Sequence, residues 1–142
     1  MTTKTAPATI TLVTGFTNEW DYENRKSVRT PVTAEVKVGD FLSESLVTDT
    51  LVYEVVKVTA KTVTVRPTMS GGPVHEDEAC DKGAHGLSVV WEEQVVKPEA
   101  ETRTLRVRKD GTIRAGSHVG ASPFYPTTMV NGVPVRRVDY RF

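Results

Sequence analysis

Two groups of residues in this sequence have types and spacing that could do chemistry. His75, Cys80 and His85 share one glycine-containing stretch with Glu76, Asp77, Glu78 and Asp81. Cysteine, histidine and carboxylate are the ligand types that zinc takes. Their spacing matches no zinc finger or knuckle, and the acidic run lacks the alternating oxygen ligands and glycine of a calcium loop. We therefore read His75, Cys80 and His85 as loop residues and expect neither a metal nor a cofactor. The second group is cationic: Arg106, Arg108 and Arg114, with Arg136 and Arg137 further along. Arginines gathered on one face would bind phosphate or carboxylate through charge-assisted, forked hydrogen bonds.

Catalytic patterns are missing. No Gly-x-Ser-x-Gly elbow occurs, and Gly71 and Gly72 are not followed by the Gly-Lys-Ser or Gly-Lys-Thr of a phosphate-binding loop. Cys80 stands among carboxylates, which raise a thiol pKa and so disfavour the thiolate. Glu92 and Glu93 are neighbours, and adjacent residues of a strand point to opposite faces. The sequence is expected not to encode an enzyme.

Charge is unevenly spread although the net charge is zero. Residues 70–101 carry two lysines against eight carboxylates, a net of −6, and residues 103–142 carry eight cations against two carboxylates, a net of +6. Such asymmetry either marks an anionic partner or lets the two blocks face each other. If Lys109, Asp110 and Gly111 form a three-residue turn, Arg108 opposes Thr112, Val107 opposes Ile113 and Arg106 opposes Arg114, with every apolar residue on one face. Two arginines directly opposed destabilise a hairpin unless an anion lies between them. That anion could be a phosphate, or a carboxylate of the Glu92–Glu101 stretch.

The elements that must position these residues read as strands. Valine dominates the apolar residues, the hydrophobic fraction is 38% and the charged fraction 25%, as in an ordinary globular chain. A single cysteine excludes an internal disulfide, no apolar run has the length of a membrane helix, and the start lacks signal-peptide character, so a cytoplasmic protein is expected. Residues 1–8 read as a loose lead-in and Thr9–Thr14 as the first strand, while Thr17–Thr30 reads as a long loop or one helical turn. Val32, Ala34, Val36 and Val38 share a face, and Val58 paired with Val63 sets Val56 opposite Val65. Residues 69–86 have the composition of a long acidic loop. Leu87–Val96 follows as a strand, and Asn131-Gly132 marks a turn before the last one. The aromatic residues Phe124, Tyr125 and Tyr140 of the basic third could stack on bases or fill the core.

Val38–Pro67, VGDFLSESLVTDTLVYEVVKVTAKTVTVRP, has a Gly-Asp opening a strand, then Tyr-x-Val-Val and a Thr-Ala-Lys-Thr-Val turn. It resembles a segment of small accessory proteins of tailed phages and bacteria. The endings RKDGTIR at Arg108–Arg114 and GVPVRRVDYRF at Gly132–Phe142 are similar to proteins of phages that infect actinobacteria. The resemblance implies an accessory role, in the host cytoplasm if phage-encoded, and no activity.

The expectation is one all-β domain over residues 1–142, a partly open barrel or sandwich of about seven antiparallel strands with SH3-like elements. Its leading role is to bind a host protein or a nucleic acid through the basic third, at Arg106, Arg108, Arg114, Arg136 and Arg137, with no membrane involved. The alternative is a structural component or homo-oligomer whose acidic and basic surfaces pair between subunits.

Overall fold

In a computed structural model the chain is all-β. The structure describes residues 9–46, 49–73, 81–83, 86–115 and 121–139. The lead-in 1–8 and the residues His75, Cys80 and His85 lie outside that set. Among the described residues no helix is long and apolar enough to cross a membrane, and no group of three metal-ligating side chains occurs.

Among the described residues the strands form three antiparallel sheets, and none closes into a barrel. First comes a two-stranded ribbon of β1 (Thr9–Asp21) and β2 (Lys26–Lys37). This corrects the reading of Thr17–Thr30 as a loop. Asp21 closes the ribbon's turn by accepting hydrogen bonds from the backbone of Glu23 and Asn24, at 3.0 and 3.2 Å, and from Asn24 Nδ2 at 2.8 Å. Those bonds hold the Asp21 carboxyl below its ordinary pKa, the Asn24 side chain contributing most. Helical or strand periodicity was absent there because neither face of the ribbon is covered: residues 17–33 are exposed apart from half-buried Asp21.

The second sheet has the order β10-β3-β4-β5-β9, built from β3 (Phe41–Ser45), β4 (Thr50–Val58), β5 (Thr62–Pro67), β9 (Arg103–Arg106) and β10 (Tyr125–Pro126). Val58 pairs with Val63 as expected, and Lys57 with Thr64. Beyond them the register shifts, so that Val55 rather than Val56 faces Val65. The bulge inserts Val56 as the extra residue and turns Val55 into the core, where it is fully buried.

The third sheet runs β11-β12-β8-β6, from β6 (Met69–Pro73), β8 (Gly86–Val95), β11 (Met129–Val130) and β12 (Val133–Asp139), with β7 (Asp81–Gly83) also on β8. Strands β6 and β7 fall inside the stretch 69–86 that composition marked as loop. Glycines Gly71 and Gly72 misled that reading, because they serve a strand edge: a Cβ on Gly71 would sit 2.9 Å from the Val95 Cγ1 atom. Asn131 and Gly132 both have positive φ and link paired Val130 and Val133, the geometry of a two-residue type I′ hairpin.

One core joins these parts. Ile10, Leu12 and Val36 from the base of the ribbon meet Leu42, Tyr53, Val55, Val58, Val63, Val65, Leu105, Ile113 and Phe124. Tyr53 and Phe124 stack with ring centroids 5.5 Å apart. At about 25 cal/mol per Å² of apolar surface removed from water, each large side chain here contributes ~2–3 kcal/mol. Polar contacts stitch the third sheet to the second: Arg137 N donates to Thr50 Oγ1 at 2.9 Å, and the single Thr68 hydroxyl proton is shared between Val52 O at 2.9 Å and Gln94 Oε1 at 3.0 Å.

Candidate anion-binding site

The turn that carries the arginines closes as the sequence predicts. Arg108 N donates to Thr112 O and Gly111 N to Arg108 O, each at 2.9 Å, and Gly111 has φ +85. Only glycine adopts that conformation without strain. Side-chain space is also closed there, since a Cβ on Gly111 would lie 2.7 Å from Val13 Cγ2. The Gly111 carbonyl accepts from Val13 N at 2.9 Å, which fixes the turn to the ribbon.

Past this turn the two arms separate, and the expected hairpin register fails. Arg106 pairs across β9 with Thr62, Leu105 with Val63, and Arg114 forms an isolated bridge with Pro123. Arg106 and Arg114 are therefore not cross-strand neighbours. The winning interaction is burial: Leu105 sits over Val63 and Ile113 enters the core, with Ile113 O accepting from Phe124 N at 2.9 Å. A local hairpin would have kept both strands away from the second sheet.

The three arginines still converge. Arg103, Arg106, Arg108 and Arg114 line a shallow depression of about 380 Å³ with Thr104, Leu105, Val107 and Ala115. No carboxylate is among the lining residues. Arg103 is an addition that sequence alternation had not selected, since it is an odd number of positions from Arg106. It is exposed, and its Nη2 donates to Ala115 O at 2.6 Å.

Within the depression the roles differ. Arg114 is largely buried and committed: Nε donates to Thr112 Oγ1 at 3.0 Å, Nη1 to Ala121 O, and Nη2 lies 3.5 Å from Asp110 Oδ2. Thr112 in turn donates to Asp110 Oδ1 from its hydroxyl at 2.6 Å and its backbone at 3.0 Å. These bonds from Thr112, and then the charges of Arg114 and Arg108, hold the Asp110 carboxyl below its ordinary pKa. The carboxylate that answers Arg114 is thus Asp110 of its own turn, not one of the Glu92–Glu101 stretch. Arg106, by contrast, is exposed.

Arg103 also reaches toward the core. Tyr53 donates its hydroxyl to Glu44 Oε1 at 3.1 Å, and burial, with Glu44, pushes the Tyr53 pKa up, against an opposing pull from Arg103.

Arg136 and Arg137 stand elsewhere, on β12. Arg136 lies opposite Glu92 in the β8–β12 ladder, with its Nη2 3.9 Å from Asp49 Oδ2, and Arg137 lies opposite Trp91. There the acidic and basic blocks do meet, within one sheet. These two arginines join sheets and do not extend the depression.

A second cavity, of about 440 Å³, lies between the Gly39-Asp40 turn and the β11–β12 hairpin. Its carboxylates are Glu35 and Asp40, and both Asp40 oxygens are taken by Lys37, through the backbone at 3.0 Å and through Nζ at 3.2 Å. It has the shape of a ligand site without a converging set of free polar groups. No family model, curated protein or solved structure matches the chain, so the reading of the site rests on its geometry.

Proposed function

We propose that the chain is a non-enzymatic accessory binding protein, of the phage or bacterial kind its sequence resembles, that docks the phosphate backbone of a nucleic acid on the β9 depression in the host cytoplasm. The observation that carries this reading is the lining itself: four arginines around one open depression without a carboxylate. Arg106 and Arg108 supply the contacts, Arg103 adds charge at the rim, and Arg114 with Asp110 holds the turn in shape. No metal or cofactor takes part. The shallow form suits a backbone, which is convex and repeats its charge, better than a small molecule that needs enclosure.

The test is fluorescence anisotropy with a labelled nonspecific duplex. Binding is expected at about 50 mM salt and falls steeply as salt rises, because each phosphate contact releases a counterion. The double change Arg106→Gln, Arg108→Gln should abolish it with the melting temperature unchanged. No binding by the wild type at that salt would reject the nucleic-acid reading and leave an acidic protein segment as the partner.

A further inference from the structure

The outward face of the second sheet continues the depression. Val55, Val58, Val63, Val65 and Leu105 point into the core, so the residues that alternate with them point out: Lys57 on β4, Thr62 and Thr64 on β5, Thr104 and Arg106 on β9. The register sets these side by side. Arg106 is opposite Thr62, and Thr64 stands between Lys57 and Thr104, its hydroxyl 3.1 Å from that of Thr104. Lys57, Thr104 and Arg106 are exposed, and the two β5 threonines are half-buried. At the same end of the sheet Val107 N donates to Lys61 O at 2.9 Å, which brings the β4–β5 turn beside the Lys109-Asp110-Gly111 turn.

Lys57, Lys61, Arg106, Arg108 and Lys109 therefore gather at one end of one sheet, and the carboxylates beside them are already paired. Asp110 is held by Thr112 and Arg114. On the β3 side Asp40, whose carbonyl accepts from Val55 N at 2.8 Å, pairs with Lys37 Nζ at 3.2 Å. The remaining acids lie toward the other end of the sheet. Glu54 is bound there by Arg66 Nε at 2.7 Å, and Arg66 Nη1 donates at 3.2 Å to Pro98 O, in the connection that carries Glu99 and Glu101. Arg66 is about 13 Å along β5 from Thr62, at ~3.3 Å per residue. Among the described residues no salt bridge engages Lys57, Lys61 or Arg106.

We propose, resting on the nucleic-acid reading of the depression, that this face is the bed of a double-stranded nucleic acid, whose backbone runs from Arg106 and Arg108 across the threonines to Lys57. Lys57 and Arg106 are separated by two strand spacings across the sheet and two residues along it, about 12 Å between Cα atoms at ~4.8 Å per strand. A duplex carries one charge per ~1.7 Å of its axis, so it presents several phosphates over that span. Threonine hydroxyls between the cations donate to phosphate oxygens. None of the five outward residues is aromatic, whereas surfaces that grip single strands stack bases on aromatic rings. The exposed rings of Trp20 and Tyr22 are on the ribbon, not on this sheet. A sheet lying flat on the backbone puts no element into a groove, so the base edges go unread.

Anisotropy titrations of a labelled duplex over a series of salt concentrations test this. Lys57→Gln should lower the slope of log K against log salt by about 1 and weaken binding roughly tenfold at about 50 mM salt, with the melting temperature unchanged. Lys57→Arg should keep the wild-type slope. Lys26→Gln, which removes an exposed cation from the ribbon, should leave it unaltered. An unlabelled homopolymer single strand should compete about tenfold less well than an unlabelled duplex of equal length, because each contact to a single strand releases less counterion. Duplexes of different sequence should compete equally. A wild type that binds duplex while Lys57→Gln keeps its slope overturns the extended face and leaves the depression alone as the site. An equal loss from Lys26→Gln does the same, since the attraction would then be diffuse. A single strand that competes as well as the duplex overturns the partner class. A wild type that binds no duplex at about 50 mM salt overturns both this proposal and the reading it rests on.

Discussion

The β4–β5 hairpin and the β1–β2 ribbon are written in the same code and meet different fates. The β4–β5 hairpin and the Val32–Val36 part of β2 alternate apolar with polar residues, each hairpin pairs in antiparallel register, and each carries one bulge. In the first hairpin Val55, Val58, Val63 and Val65 are at most 7% exposed; in the second, Val28 and Val32 stand 39% and 45% exposed. Alternation specifies which side chains share a face, and says nothing about what lies over that face. The bulges deepen the contrast. At Val56 the extra residue lets Val55 turn inward, while the one at Thr14 changes the parity of β1, so that Leu12 faces the core and Phe16 and Trp20 face away from it.

The largest expected effect breaks the covered side of that comparison. Phe124→Ala, at a fully buried ring stacked on Tyr53, should cost ~3–5 kcal/mol in urea unfolding, through lost burial and the cavity left behind. Gly111→Ala comes next, at about 2 kcal/mol, because φ +85 strains any side chain and its Cβ would strike Val13 where the ribbon is anchored. The same denaturation experiment reads it. Arg114→Gln should cost about 1 kcal/mol, since Arg114 holds the turn through Asp110, Thr112 and Ala121 rather than serving the ligand. A cost indistinguishable from that of Arg106→Gln would show that the two are not divided in role.

On the uncovered side the effects should be small. Val32→Ala should change the stability by less than about 0.5 kcal/mol, as ordinary surface changes do. A loss like that of a core valine would mean the ribbon is packed. The smallest effect is pH-dependent. Asp110 has a lowered pKa in the folded state, so its stabilising contribution is complete above the unfolded carboxyl's pKa and disappears as pH falls through the folded value. Asp110→Asn should therefore flatten the acid limb of the stability profile slightly and leave the slope near neutral pH unchanged.

Local chemistry was legible without the structure wherever a turn decided it. Lys109-Asp110-Gly111 closes Arg108 onto Thr112, Asn131-Gly132 makes its hairpin, and Val58 meets Val63, because each depends on residues a few positions apart. The all-β class followed equally from valine content and alternation. Other features depend on partners distant in sequence. Leu105 chooses Val63 over the strand nearest to it in the chain, which separates Arg106 from Arg114 as a pair and yet gathers both, with Arg103, around one depression. Arg136 and Arg137 share the charge of that group and are carried to another sheet by the pairing of β12 with β8. The sequence by itself determined which side chains alternate and where the chain turns, since both are set by backbone geometry over a few residues. Which faces are buried, which arginines meet and which ribbon is left bare were decided only by tertiary packing, because burial is a property of what arrives from elsewhere in the chain.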